Sequence, residues 1–527
     1  MRTRRLVGSC AASSSSTPEP THTSCPTNSE STVTVMSDLI TPRGSYINGG
    51  WRRSSGSASL ELINPATEES LGRVTDATSA DVDDAVAAAS AAFAAWSATS
   101  AEERIAVMNR VAVAVSERAE ELSRLQSLQM GAPLVSARAA VQASSNLLRA
   151  YMDAANVLSW EYIRRDAWGQ SLMRREPVGV VAAISPWNFP LATALNKMVP
   201  ALLAGCSIVM KPAPEAPLEV GIFGEICSEA GLPDGVLNVL MGGREAGEAL
   251  VGHRGVHKIT FTGSTAAGRR VAQVAAERFA RVSLELGGKS AAIVLDDVDL
   301  AAAVPIIAGA NFGNSGQACY SLSRVLVPSA RHDEFVDAVA EVAARHVLGD
   351  PLDEATTIGP LVADRQRARV LHYLETAERQ GATVAVGGGR PAYLERGYFI
   401  EPTVLVGVDN TMTVAREEIF GPVMSVIPYD SVEEAVAIAN HSDFGLHGGV
   451  FTTDPERGLA VAKQVVTGSI AINRHGTNPS APFGGVKMSG MGREHGAEGI
   501  GSFLETKTYV LPPEMYDSMK ASGTREG

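Results

Sequence analysis

Five cysteines in 527 residues are too few and too scattered to build a framework. Their number is odd and no Cys-x-x-Cys spacing occurs. That argues against a disulfide scaffold and against a zinc site, and for free thiols in a reducing compartment, the cytoplasm. Long apolar runs are also missing, and none reaches the ~20 residues of a membrane span. Basic residues are outnumbered, 45 Lys and Arg against 58 Asp and Glu, for a net charge of −13. An acidic surface argues against nucleic acid or an acidic membrane as a partner.

Large apolar side chains are scarce in residues 1–40, which include SSSSTPEPTHTSCPTNSEST. Such a segment cannot bury enough surface to offset the entropy of ordering, so a disordered leader is expected there. The opening MRTRRLVGSC is basic, but its apolar patch falls short of the ~7–15 residues of a secretory signal. Met36 opens a second plausible start.

From Tyr46 onward the text is that of a structured protein, 45% hydrophobic over the whole chain. It is longer than the ~50–250 residues of an ordinary domain, so two main domains are expected. YINGGW places an Asn-Gly turn between short strand-like pieces. Thr78 with Asp81 forms a capping box before a helix whose Val82, Val86, Ala89, Phe93 and Trp96 share one apolar stripe. Helix continues to about Trp160. Between 178 and 297 the apolar runs VGVVAAIS, SIVMKP, VLNVL, KITFTGS and AAIVLDD alternate with helix-like stretches. That rhythm predicts parallel strands buried on both faces, in an α/β domain that takes a nucleotide at the carboxyl ends of its strands. A second alternating region runs from about 300 to 475, and no short-period repeat is visible.

Four segments carry candidate chemistry. Cys319, in NFGNSGQACYSLSRVLVP, lies in a loop or tight turn before a strand-like run. A thiol there becomes a strong nucleophile once backbone N–H groups or a helix start lower its pKa; an idle loop cysteine fits the same text. Cys206 and Cys227 read as packing residues. Glu285, in RVSLELGGKSAAIVL, puts a carboxylate into an otherwise apolar strand. Its burial is costly unless it serves as a base or is paired, with Lys289 the nearest partner. In SPWNFP, residues 185–190, two prolines bracket Trp187 and Asn188. A rigidly held Asn188 amide suits an oxyanion, and an ordinary proline-bounded turn is the alternative. In FTGSTAAGRR, Gly263 and Gly268 bracket a helix start after the strand KITF. The spacing is neither the dinucleotide fingerprint nor a P-loop, although a helix N-terminus there could attract a pyrophosphate.

Taken in this order, PWNFP, MKPAPEAP, FTGSTAAG, LELGGKS, GQAC, EEIFGPV, PFGGVKMSGMGRE and LETKTYV resemble the aldehyde dehydrogenase superfamily, in its hydrolytic, non-acylating branch, from about residue 46 to 512. LELGGKS followed by GQAC, at the family's own separation of Glu285 from Cys319, is the most specific part. The resemblance implies an α/β fold of the aldehyde dehydrogenase type. A Rossmann-type cofactor domain would span 41–154 and 178–287, and an α/β catalytic domain 288–488. A small β bridging element, 155–177 with 503–512, would mediate a homodimer or homotetramer, with 155–177 forming an extended hairpin.

The same resemblance implies oxidation of an aldehyde to a carboxylic acid with NAD or NADP, through a thiohemiacetal and a thioester on Cys319. Asn188 and the Cys319 N–H would hold the oxyanion, and Glu285 would activate water. For the cofactor it implies Lys211 on the adenosine ribose and Ser264 on the pyrophosphate. Trp187 and Gly243 would line the groove, with Ile184, Gly263 and Leu286 also in the cofactor site, and Glu418 and Phe420 on the nicotinamide ribose. No metal is implied.

One departure concerns the cofactor. Many NAD-preferring members carry a glutamate three residues after the cofactor lysine, where this chain has Pro214, with Glu215 next. NADP would therefore not meet that carboxylate, although NAD is the expected cofactor. The resemblance implies that the loop after Asn473, RHGTNPSAPFGG, helps line the substrate entrance, where Arg474 and His475 suggest tolerance for polar or anionic aldehydes; a solvated loop arginine is the alternative. Two alternatives are a CoA-acylating dehydrogenase, a branch that usually lacks the glutamate found here as Glu285, and a non-catalytic relative. Against the latter stand Cys319, Glu285, Asn188, Lys211 and Glu418 together.

Overall fold

Asn48 and Gly49 both take positive φ, 51° and 78°, and turn the strand Ser45–Ile47 back onto Gly50–Arg52. Paired left-handed residues are what a tight hairpin requires. This is a computed structural model, which describes residues 44–54, 56–515, 519 and 525–526. The leader expected at 1–40 lies outside the described residues.

The predicted capping box opens the helix Ser79–Ser97. The Thr78 side chain accepts from the Asp81 N–H, and the Asp81 carboxylate accepts from the Thr78 N–H at 2.7 Å. Val82, Val86, Ala89 and Trp96 are buried as the stripe requires, with Phe93 half-buried. Helix ends at Val157 rather than near Trp160. The chain then enters the hairpin Glu161–Asp166 and Gly169–Pro177, to which Leu504–Leu511 adds antiparallel.

Five parallel strands form the heart of an eight-stranded sheet, in the spatial order Leu237–Val239, Ser207–Lys211, Val180–Ile184, Lys258–Thr262, Arg281–Glu285. Val180–Ile184 and Ser207–Lys211 are buried throughout, as continuous apolar runs demand. Val180–Ile184 comes first in the chain, and its two neighbours are the next strand and the fourth. The connections therefore diverge between Val180–Ile184 and Lys258–Thr262. In a doubly wound sheet, ligands bind outside the carboxyl ends of the strands at such a switch point. Here those ends lead directly into residues 185–190 and 263–264.

The alternation read from 178 to 297 is divided between two sheets. Ala291–Val294 sits in a second, seven-stranded sheet, parallel to Arg324–Pro328 on one side and Gly448–Phe451 on the other. Strands of both sheets are equally apolar, so their rhythm does not reveal the change. Residues 286–290, which include Gly287 and Gly288, carry the chain across from Glu285 at the end of one sheet to Ala291 in the other.

Candidate active site

The helix Leu300–Phe312 gives way to three consecutive residues with positive φ: Asn314 at 53°, Ser315 at 55° and Gly316 at 70°. Two of the three carry side chains, in a conformation that L residues adopt reluctantly. Their positions are held from outside. The Ser315 hydroxyl donates to the Gly359 carbonyl at 2.7 Å, and a β-carbon on Gly316 would lie 2.0 Å from the Gly421 carbonyl oxygen. This left-handed turn delivers Gln317, Ala318 and Cys319 to the gap between the sheets.

The Gly-Gly pair explains itself against this loop. A β-carbon on Gly287 would sit 2.4 Å from a Glu418 carboxylate oxygen, and one on Gly288 would sit 2.3 Å from the Cys319 carbonyl oxygen. Gly288 requires glycine because its neighbour is backbone, whereas a side chain at 287 would displace the Glu418 carboxylate. The Gly288 N–H also donates to Glu418 Oε1 at 3.0 Å.

Asn188 is buried, and its Nδ2 donates to the Gln317 carbonyl at 2.8 Å. Its own carbonyl accepts from Asn314 Nδ2 at 2.9 Å. The proline-bounded turn is thus tied at two points to the loop that bears the cysteine. Only one of the two Asn188 Nδ2 hydrogens is needed for the Gln317 bond, which leaves the other for the cavity that Asn188 lines.

Glu285 ends its strand buried, and neither carboxylate oxygen has a hydrogen-bond partner among the described residues. Burial, and secondarily the nearby Glu494 carboxylate, hold its pKa well above the usual carboxylate range, against the opposing pull of Lys197 and Arg493. Lys289 does not pair with it. Its ammonium has no partner among the described residues, and burial pulls its pKa down to about 7. The Cys319 thiol is likewise pushed up, first by burial and then by the carboxylates of Glu418, Glu285 and Glu494.

Cys319, Asn188 and Glu285 line one cavity of about 610 Å³. Trp187, Gly263 and Ser264 line it as well, as do Leu286, Glu418 and Phe420. Ser264 caps the helix Thr265–Ala276, its hydroxyl accepting from the Ala267 N–H at 3.3 Å. Trp187 and Phe420 meet edge to face at 5.4 Å, and burial raises the Glu418 pKa to about 7.

Three of the named residues stand apart from the cavity wall. Ile184 closes its strand one residue before the 185–190 turn. Lys211 ends the neighbouring strand, its ammonium donating to the Pro212 and Gly242 carbonyls at 2.7 and 2.8 Å. Beside it Gly243 starts the helix Arg244–Gly252 and donates its N–H to Asp76 Oδ1 at 2.8 Å. Glu215 is engaged by Arg365.

Sequence reasoning missed a buried ion pair. Lys197 and Glu494 meet at 2.7 Å, and the lysine also donates to Thr262 Oγ1 at 2.5 Å. The signal was present in LATALNKMVPALLAG, where a single cation stands on an apolar helix with no acid three or four residues away. The loop at 473–481 also differs from expectation. Arg474 is exposed and His475 lies behind Tyr320, so neither lines the cavity; Thr477 and Pro479 do.

Fold and site together define a doubly wound α/β protein with a cysteine lining a nucleotide-sized cleft. Comparison with known proteins narrows this. Residues 51–509 match the sequence model of the aldehyde dehydrogenase family. The chain is 44% identical to the geranial dehydrogenase of Castellaniella defragrans, over 88% of this chain and 98% of that protein. An aldehyde dehydrogenase of Mycobacterium tuberculosis, solved with NAD+, superposes with a TM-score of 0.87 at 45% identity, covering 89% of this chain and 98% of that one. A variant of an aldehyde dehydrogenase from Pseudomonas syringae, solved with NAD+ and octanal, gives 0.86 at 42% identity, covering 89% and 97%. The chain belongs to the aldehyde dehydrogenase family.

Proposed function

We propose that this protein oxidises apolar aldehydes to carboxylic acids with NAD, by covalent catalysis on Cys319. The observation that carries the reading is the convergence of Cys319, Asn188 and Glu285 on one cavity whose other lining residues include Gly263, Ser264, Glu418 and Phe420.

These residues fit a nicotinamide dinucleotide. A capped helix N-terminus beside Gly263 offers N–H groups to a pyrophosphate, and the Glu418 carboxylate is an acceptor for ribose hydroxyls. Lys211 and Gly243 would serve the adenosine end, with Ile184, Trp187 and Leu286 along the way. When bound, the cofactor supplies the hydride acceptor. NAD is favoured over NADP by the relatives solved with it, since Pro214 removes the usual sequence cue.

In this mechanism the Cys319 sulfur adds to the aldehyde carbon as its proton passes to a base, and a thiohemiacetal oxyanion forms. Asn188 Nδ2 and the Cys319 N–H donate to that oxygen. Loss of hydride from the same carbon leaves an acyl thioester. Glu285, ionised, takes a proton from water, whose oxygen attacks the thioester carbon; the C–S bond breaks and Cys319 regains a proton. A base that stays unmodified throughout is what hydrolysis needs, and Glu285 is close enough to Cys319 to influence its titration.

The substrate side favours apolar chains. The helix Leu134–Val157 presents Ser136, Ala140, Ala143, Ser144 and Leu147 to the cavity. No charged group of the 473–481 loop lines it, which replaces the expectation of anionic aldehydes. The Castellaniella relative named for geranial and the Pseudomonas protein solved with octanal support the same class. The proposal includes a cytoplasmic location and assembly as a homodimer or homotetramer through the hairpin, whose tip bears Trp168 at 97% exposure. Among the described residues, no helix is long and apolar enough to cross a membrane.

The test is turnover of an aldehyde panel with NAD and NADP, with and without CoA. Octanal or citral should reduce NAD without CoA, faster than succinic semialdehyde. Strict dependence on CoA, or inertness toward every aldehyde, would overturn the reading.

A further inference from the structure

The loop at 473–481 is anchored at both ends. At its start Asn473 exchanges hydrogen bonds with Thr452: the Thr452 N–H donates to Asn473 Oδ1 at 2.9 Å, and Asn473 Nδ2 donates to the Thr452 carbonyl at 2.8 Å. Near its end the Pro479 carbonyl accepts from the Gly496 N–H at 3.2 Å. Between these anchors His475 reaches the nucleophile loop. Its ring stacks on Tyr320, with centroids 4.8 Å apart and planes inclined by 17°, and its Nε2–H donates to the Tyr320 carbonyl at 3.3 Å. His447 and Phe483 close on the same tyrosine edge-on, at 6.0 and 6.4 Å. Tyr320 lines the cavity next to Cys319, with His475 as its backing.

We propose that His475 is a positioning residue: from the entrance loop it clamps Tyr320, fixing the backbone beside the nucleophile and the width of the substrate passage. The proposal rests on Cys319 being the nucleophile of an aldehyde oxidation. The hydrogen bond and the stack do different work. The bond restrains the carbonyl of the residue bonded to Cys319, whose own N–H would donate to the oxyanion in the proposed mechanism, so it acts on the transition state. The stack holds the Tyr320 ring against the passage in the offset geometry aromatic rings prefer, so it acts on how broad a substrate is admitted. Burial lowers the imidazole pKa below its ordinary value, which disfavours the charged form. Neutral replacements therefore separate the two contributions without removing a charge.

The experiment is steady-state kinetics of full-length His475→Phe, His475→Gln and His475→Ala with octanal and 3-phenylpropanal. It is paired with the rate of Cys319 alkylation by iodoacetamide in the absence of cofactor. His475→Phe keeps a ring and loses the donor; kcat should fall about tenfold for both aldehydes, a misplacement effect, with both KM values little changed. His475→Gln keeps a donor and loses the ring; kcat should hold, while KM for 3-phenylpropanal falls about fivefold relative to octanal, within the range one pocket contact controls. His475→Ala should show both effects and a changed alkylation rate. A general loss of stability would lower all activities together without this split. Unchanged kinetics and alkylation in His475→Ala would overturn the proposal. A parent protein inert to every aldehyde would instead remove the oxidation reading, and the alkylation rates would still show whether His475 governs the cysteine loop.

Discussion

Gly288 and Cys319 are packed so closely that a β-carbon on the glycine would lie 2.3 Å from the cysteine's carbonyl oxygen. Gly288→Ala must therefore displace the loop that bears Cys319. Activity should fall by ~10²-fold, the scale of a displacement near 1 Å at a reacting group. Gly309→Ala provides the contrast. Gly309 lies inside the helix Leu300–Phe312 with nothing within 4 Å of the added carbon, so the change should stabilise the fold by about 0.5–1 kcal/mol. Turnover and urea unfolding of the two variants check both signs. Full activity in Gly288→Ala would refute the steric account.

Glu285→Gln is nearly isosteric and removes the proposed base without emptying its site. The first hydride transfer should survive, giving a burst of reduced cofactor near one equivalent per site, and steady-state turnover should drop ~10²–10⁴-fold. Rapid-mixing absorbance at the reduced-nicotinamide band resolves the two phases. Undiminished steady-state turnover would remove Glu285 from deacylation.

Much of this site was legible because its chemistry and its local geometry write the same letters. The carboxylate of Glu285 stood out as a charge in an apolar strand, and the Gly-Gly pair after it marks close approach. Asn188 and Cys319 were readable as rigid or turn residues, but only the folded chain reveals that Gln317 joins them. The pairing of Lys197 with Glu494 was missed because it is nonlocal: the lysine stands out on its apolar helix, but its partner lies 297 residues away. His475 was read as part of the entrance because the family resemblance assigns the loop as a whole to it. Its side chain instead packs against Tyr320, a contact that depends on where the second sheet leaves the loop. The division of the alternating strands between two sheets was hidden for a similar reason, since parallel strands of both sheets are buried on both faces.

Glu418 offers a test of the cofactor end. Its carboxylate accepts from Gly288 and lines the cavity, with its pKa raised to about 7 by burial. Glu418→Gln should raise KM for NAD at least about tenfold, the loss of one hydrogen bond to a charged acceptor worth ~1.5–3 kcal/mol. In the parent, KM for NAD should rise as pH falls below about 7, where the carboxylate becomes protonated. In Glu418→Gln that pH dependence should vanish. Its persistence would assign the titration to another group.

The buried pair of Lys197 and Glu494 makes the last prediction, on pH. As the proposed base, Glu285 would act only when ionised, and its pKa is raised, so activity should climb with pH through that elevated value. Glu494 raises this pKa more than Lys197 lowers it. Lys197→Met alone leaves a buried carboxylate without its partner and should cost ~3–5 kcal/mol of stability. It also withdraws the only downward influence larger than that of Arg493, so the rising limb should move to higher pH. The double variant Lys197→Met with Glu494→Gln removes both charges. Stability should largely return, because replacing a buried pair by neutral groups of similar volume is often tolerated. Since the stronger, upward influence is now gone, its limb should move to lower pH than in the parent. Urea unfolding and kcat–pH profiles of the three proteins decide it. A limb that shifts the same way in both variants would show that Glu285 does not control it.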